Sequence, residues 1–331
     1  MPIIDTHAHL TPERYKAAVA ADGNWYGLDG KVGELHQGRF AQPLDQRLAN
    51  MDAEGVEMQL LSPSIGFTQY ENEPGIAAQI ARECNDEIAD TVTEHPDRFA
   101  GLGTVAMQDL PSAITELERL VRDLKLKGII IRDHVLGDTF DDPKFRPFFQ
   151  AAEDLGAVLF FHQGAGNIVE TRTAKYKLTN AIGNLTERTL AYATLVFGGV
   201  MDDFPNLRPL LAHAGGYTAF GIPRMDKVAG ALEGGYPESG LTPPFAIDDI
   251  TITRAPSEYL GQFYYDCCTY DELSLRFLID RVGIDKIVLG TDYPAPMFLP
   301  DSVNWINSLE TLTKAEKDAI LFGNATTWLG L

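Results

Sequence analysis

Four histidines and one aspartate close short apolar runs of this chain. His7 and His9 stand two apart in Ile-Ile-Asp-Thr-His-Ala-His-Leu, after the first run. His162 ends Val-Leu-Phe-Phe-His, His213 ends Leu-Leu-Ala-His and Asp292 ends Ile-Val-Leu-Gly-Thr-Asp. In extended backbone, residues two apart share a face, so His7 and His9 can aim at one ion. A third imidazole and a carboxylate complete a donor set suited to zinc, or to manganese or iron. Each residue has a bland alternative. His162 could be a satisfied core histidine, and Asp292 could cap a turn before Pro294. With four of the seven histidines at such ends, the metal reading accounts for the set better than five separate accidents. The expected site holds a divalent ion, zinc first and manganese second, among His7, His9, His162, His213 and Asp292. Asp292 could also orient a metal-bound water.

These residues need a frame that gathers strand ends. Candidate strands are Pro2–Asp5, Glu57–Ser62, Phe99–Val105, Gly128–Arg132, Ala157–Phe161, Arg208–Ala212, Phe263–Asp266 and Lys286–Gly290. Several are almost wholly apolar, as parallel strands covered on both faces are. Between them lie helical patterns over Ala77–Val92, Thr115–Leu124 and Leu273–Val282. Alternating strands and helices predict an α/β fold, a (β/α)8 TIM barrel of one domain over residues 1–331, whose strand ends converge on one mouth. An open doubly wound sheet is the alternative, but no GxGxxG follows the first strand. Three long stretches, Leu10–Gln42, Gln163–Asn184 and Gly234–Gly261, read as insertions that line or cover that mouth.

A formal net charge of −20 argues against a nucleic-acid partner. Cys84, Cys267 and Cys268 are odd in number and two are adjacent, which disfavours a disulfide framework. The start of the chain lacks a signal-peptide pattern, and no apolar run is long enough for a membrane span. A cytoplasmic enzyme is expected.

The chain resembles the amidohydrolase superfamily and, within it, the decarboxylase branch. The resemblance rests on the His7/His9 pair, Arg-Phe-Ala-Gly-Leu-Gly-Thr at Arg98–Thr104 and Phe-Gly-Gly-Val at Phe197–Val200. It continues through the His213 segment to Leu-Gly-Thr-Asp-Tyr-Pro at Leu289–Pro294. It implies one metal ion ligated by His7, His9, His162 and Asp292, with His213 beside a metal-bound water as acid–base group and proton carrier, since imidazole titrates near neutral pH. It further implies a homodimer in which arginines grip substrate carboxylates, one of them borrowed from the neighbouring subunit. Arg224 matches the borrowed position, and Arg39 lies within a residue of the other. Two departures are Gln163-Gly164-Ala165 after the fifth strand and Arg132 at the end of the fourth. The end of the fourth strand, Arg132-Asp133-His134, lacks the bridging lysine or glutamate of binuclear hydrolases. Gln163–Ile168 lacks the glutamate of deaminases.

The expected substrate is a small aromatic or ring-cleaved unsaturated carboxylate, and the expected reaction is non-oxidative decarboxylation. Arg132, Arg39 and Arg224 are the candidate carboxylate-binding residues, since guanidinium groups pair with carboxylates through two parallel hydrogen bonds. A hydrolase or hydratase would use the same metal site, and the residues alone do not separate the two. A non-enzymatic binding protein would need none of the convergent residues. His134 could reach the mouth. His36 and His95 look ordinary, and Cys267, Cys268, Asp266 and Glu187 receive no role.

Overall fold

The structure is a computed structural model that describes all residues except 1, 22, 29–34, 165, 167 and 235–251. Most of the third insertion, and parts of the other two, therefore lie outside the described residues. Among the described residues, eight parallel strands run in chain order: β1 (Ile4–Leu10), β2 (Met58–Pro63), β3 (Phe99–Gly101), β4 (Gly128–Arg132), β5 (Val158–His162), β6 (Arg208–Leu211), β7 (Tyr264–Asp266) and β8 (Ile287–Val288). A principal helix follows each: α1 (Leu44–Glu54), α2 (Pro74–Glu94), α3 (Leu110–Arg122), α4 (Arg146–Asp154), α5 (Asn184–Phe197), α6 (Thr218–Gly234), α7 (Glu272–Val282) and α8 (Asn324–Leu329). The strands form runs of three and five, and backbone hydrogen bonds join them at both seams. Lys127 N donates to Gly101 O and Gly103 N to Gly128 O between β3 and β4. Thr6 N donates to Leu289 O and Asp292 N to His7 O between β8 and β1. The ring is closed, which excludes the open sheet.

Local sequence explains the elements. Ile4, Leu60, Ile130, Phe160 and Leu210 point into the barrel, where they form one buried cluster floored by Trp328 and Leu329 of α8. Their neighbours Leu61, Ile129, Ile131, Leu159 and Phe161 face outward against the helices. Both faces are dry, hence the continuous apolar runs. Helices α3 and α7 begin at Asp109 and Asp271, whose carboxylates accept the N–H of Ser112 and Ser274. Helix α1 ends at Gly55 in a left-handed conformation (φ 74°).

The alternation that fills the barrel also loads its mouth. Two residues beyond Leu60, Ile130, Phe160 and Tyr264 come Ser62, Arg132, His162 and Asp266, all buried. β1 differs from its sequence reading: it extends to Leu10, so His7 and His9 lie within the strand rather than after it. Its pairing with β2 shifts between Asp5 and Ala8, so that Asp5 faces Gln59 but His9 faces Ser62. This one-residue irregularity reverses the strand's faces. Ile4 points into the barrel floor, yet His7 and His9 point into its mouth. β3 and β8 are shorter than expected, ending at Gly101 and Val288, although Gly103 and Leu289 still bond to the neighbouring strands.

Gly128 opens β4 at φ 150°, and a Cβ there would lie 2.0 Å from Val158 O. Gly128→Ala is therefore expected to lower stability by about 3 kcal/mol or more in urea unfolding. Gly75→Ala, in a helical position where a Cβ meets nothing within 4 Å, should be neutral or stabilising in the same measurement.

Candidate metal centre

β1, β5 and the segment after β8 bring His7, His9, His162 and Asp292 together, their ligand atoms all within 4.8 Å of one another. His7 Nε2 and His9 Nε2 are 3.2 Å apart, and each is 3.2 Å from Asp292 Oδ1. His162 Nε2 is 4.0 Å from the same oxygen. Donor atoms each about 2.1 Å from a common ion at near-tetrahedral angles are separated by roughly 3.0–3.4 Å, so the arrangement fits a small divalent cation. The outer ring nitrogens are already engaged. His7 Nδ1 donates to Asp266 Oδ2 at 2.7 Å, His9 Nδ1 is bonded to Ser62 Oγ at 3.0 Å, and His162 Nδ1 donates to Gln163 O at 3.3 Å. Such bonds fix ring orientation and leave Nε2 for a metal. His162 Nε2 is buried without a hydrogen-bond partner among the described residues, the kind of orphan an ion would satisfy.

The electrostatics favour a cation. Burial alone would lower His7, but Asp292 and Asp266 hold it up at about 9. Burial would raise Asp292, yet the surrounding imidazoles keep it well below the usual carboxylate range. Burial and the neighbouring rings push His162 well below the usual imidazole range, so it is a neutral donor. A second grouping, His7, Asp266 and Cys268, is poorer. Burial drives the Cys268 thiol far up, and it donates to Gly290 O at 3.0 Å.

Asp266, left without a role in the sequence, joins the parts of the site. Besides the His7 ring, it accepts the N–H groups of His213, Ala214 and Cys268 at 2.8, 2.8 and 3.1 Å. Residues His213, Ala214, Gly215 and Gly216 are all left-handed, with φ of 53, 56, 70 and 64°. Two are not glycine, a conformation that must be held by its surroundings. His213 Nε2 lies 3.5 Å from Asp292 Oδ2, beside the ligand set and outside it. Gly290 leaves the room this needs: a Cβ would come within 2.6 Å of Asp266 Cβ and 2.9 Å of His7 Cβ.

A buried ion pair braces the same turn from behind. Arg188 of α5 pairs with Asp133, just beyond β4. It also donates to Ala212 O and to Gln163 Oε1, both at 3.2 Å. One guanidinium thus ties together the ends of three strands. Burial pushes the Asp133 carboxyl up to about 7 against the pull of Arg188. Glu187, also without a sequence-level role, is buried and accepts the N–H of Ile168, anchoring the loop after β5. No motif announces these residues; the apolar spacing of α5 places Glu187 and Arg188 on its inner face with Ala191 and Leu195, which is the available signal.

The expected carboxylate-binding arginines are not brought together. Arg132 is buried at the mouth but is paired with Glu71 and Thr68 and lies over the Tyr70 ring. Arg39 is exposed, stacked on Phe298 at 4.3 Å, and lines a different cavity. Arg224 is exposed on α6. His134 accepts the N–H of Gly137 through Nδ1 and does not line the main cavity. His36 and His95 have local partners, Gln37 and Phe99. Cys267 is buried, with its thiol pushed up to about 12 by burial. The main cavity, of about 660 Å³, reaches Asp292 and His213 at its base and is walled by α5, α6 and α7.

Asp133→Asn would strand the Arg188 charge in the interior and is expected to cost about 3–5 kcal/mol in urea unfolding. The paired apolar replacement Asp133→Leu with Arg188→Met should recover most of that loss. Equal losses in both variants would contradict the pairing.

Comparison with known proteins agrees with this geometry. The model of the family described as Amidohydrolase matches residues 4–331. The 2-amino-3-carboxymuconate-6-semialdehyde decarboxylase of Dictyostelium discoideum is 33% identical over 343 residues, covering 99% of this chain and 91% of that protein. A gamma-resorcylate decarboxylase from Rhizobium sp. strain MTP-10005 is 26% identical, covering 87% of this chain and 86% of its own. Among solved structures, 5-carboxyvanillate decarboxylase from Sphingomonas paucimobilis superposes with a TM-score of 0.85 at 26% identity, covering 100% of this chain and 99% of that one. With a family match over nearly its whole length and a relative of this similarity, the chain belongs to the amidohydrolase family.

Proposed function

We propose that this protein is a metal-dependent, non-oxidative decarboxylase of an aromatic or ring-cleaved unsaturated carboxylate. The observation that carries the reading is the position of His213. Its Nε2 stands 3.5 Å from Asp292 and outside the ligand set, at the base of a largely apolar cavity. The relatives named above are decarboxylases of such acids, which favours carbon dioxide release over hydrolysis or hydration. Three imidazole nitrogens and one carboxylate suit zinc and also accommodate manganese; zinc is the first choice.

When bound, the divalent ion supplies Lewis-acid withdrawal of electrons from a substrate carboxylate or phenolate oxygen. The protein's own groups do the rest. The cavity walls orient the ring and exclude water. The breaking carbon–carbon bond leaves its electron pair on the ring carbon, and the proton held at His213 Nε2 replaces carbon dioxide there. Asp266 and Arg188 keep that imidazole in place, and Asp292 faces it.

A homodimer with Arg224 borrowed across the interface is part of the proposal. Phe220, one turn before Arg224 on α6, is 80% exposed, and Leu273 on the adjacent α7 is 72% exposed. A rim this apolar suits a second copy of the chain. Arg132 and Arg39 are the weaker candidates for substrate contact, given the partners described above. Among the described residues no helix is long and apolar enough to cross a membrane. The three cysteines are unpaired, which favours a cytoplasmic setting.

His213→Ala is expected to lower carbon dioxide release by at least about 100-fold while elemental analysis still finds one metal per chain. Loss of the metal in that variant would make His213 a ligand. Chelation should abolish release, and zinc or manganese should restore it. Arg224→Ala should raise KM, and mixed dimers with His213→Ala subunits should regain activity; no recovery would sink the shared site.

A further inference from the structure

Asn184 is the first residue of α5 and is 9% exposed. It lines the main cavity together with His213 and Asp292. Its carboxamide makes no hydrogen bond among the described residues. An asparagine at a helix start usually caps the helix. Here no side chain caps α5, because a π-helical turn over Thr179–Gly183 runs directly into it. Such turns are frequent at functional sites. The polar residues that follow on α5 are committed: Glu187 to the N–H of Ile168, Arg188 to Asp133, and Thr189 to the N–H of Tyr217.

The fold fixes where this amide stands. Gly216 ends the left-handed turn that carries His213, and a Cβ there would lie 2.2 Å from Leu185 O and 3.1 Å from Arg188 Cβ. The start of α5 is therefore pressed against that turn. Buried in this way, Asn184 belongs to the inner part of the cavity and not to its exposed rim.

A carboxamide offers two donors and two acceptor lone pairs without charge. Burying it unpaired costs stability, whereas a leucine of similar size would be buried at no such cost. Solvent can serve the amide while the cavity is open. A substrate that fills the cavity displaces that solvent and has to replace its hydrogen bonds. The reacting carboxylate belongs at the metal centre, so the group that meets Asn184 is a different one. A neutral amide matches a neutral partner, since an ionised group gains more from a full opposite charge.

We propose that Asn184 is a specificity-determining residue: its carboxamide hydrogen-bonds an uncharged hydroxyl or amino substituent that the substrate ring carries besides the reacting carboxylate. The inference rests on the decarboxylase reading for the class of acid, and it holds whether or not Arg224 enters from a second subunit.

The full-length, metal-loaded enzyme is titrated by calorimetry with 2-hydroxybenzoate and with the dihydroxybenzoates and amino-2-hydroxybenzoates that keep its 2-hydroxyl group. Carbon dioxide release is followed in parallel. At least one substituted acid is expected to bind at least about tenfold more tightly than 2-hydroxybenzoate. Asn184→Leu should remove that preference, weakening the preferred acid at least about tenfold and leaving 2-hydroxybenzoate the same or tighter, while unfolding at the wild-type temperature or above. Asn184→Ala, which cannot overpack the site, should lose the preference in the same way. Equal weakening of all the acids in both variants would make Asn184 structural and overturn the proposal. A wild-type enzyme that binds no substituted acid better than 2-hydroxybenzoate would overturn it too. Absence of carbon dioxide from every acid would count against the decarboxylase reading, while the pattern of affinities would still decide the role of Asn184.

Discussion

Asp266 lies at the end of β7 with no exposed surface, and its two oxygens accept four hydrogen bonds. One orients the His7 ring; two hold the left-handed turn that carries His213; the fourth fixes the chain as it leaves β7. A buried carboxylate is tolerable only when so engaged. The arrangement therefore works in both directions: the site needs Asp266 to set its rings, and Asp266 needs the site to remain ionised. His7 is held at about 9 by the two carboxylates beside it, which expresses the same demand for positive charge that a divalent ion would meet.

A second buried carboxylate plays a comparable part on the opposite side of β1. Asp5 accepts the N–H of His7 and of Thr291, the Thr291 hydroxyl and the Gln59 amide. Gln59 in turn accepts from Arg47, which also donates to His9 O. The network brackets the irregularity in β1 that turns both histidines into the mouth, and it joins β1 to β2 and to the segment after β8. Barrel closure and ligand placement are thus one problem, solved by the same hydrogen bonds.

The charge distribution has a functional reading as well. A chain of net charge −20 repels anions at long range, and the described walls of the main cavity are chiefly apolar.

Much of this was legible in the sequence, because it depends on short-range periodicity. Apolar runs alternating with helical patterns predicted eight strand–helix units, and residues at run ends in a closed parallel barrel must share a mouth. That logic selected His7, His9, His162, His213 and Asp292 without reference to contacts. What it could not reach depends on partners distant in the chain. The register shift in β1 is invisible until β2 lies beside it. Asp266 is 259 residues from His7, and Arg188 is 55 from Asp133. Arg132 has the right type and place for a carboxylate, but only the fold shows Glu71 already paired with it. Spacing along the chain determined which residues face the mouth; only the packed structure decided which of them are free to meet a ligand, because burial and pairing are properties of neighbours in space.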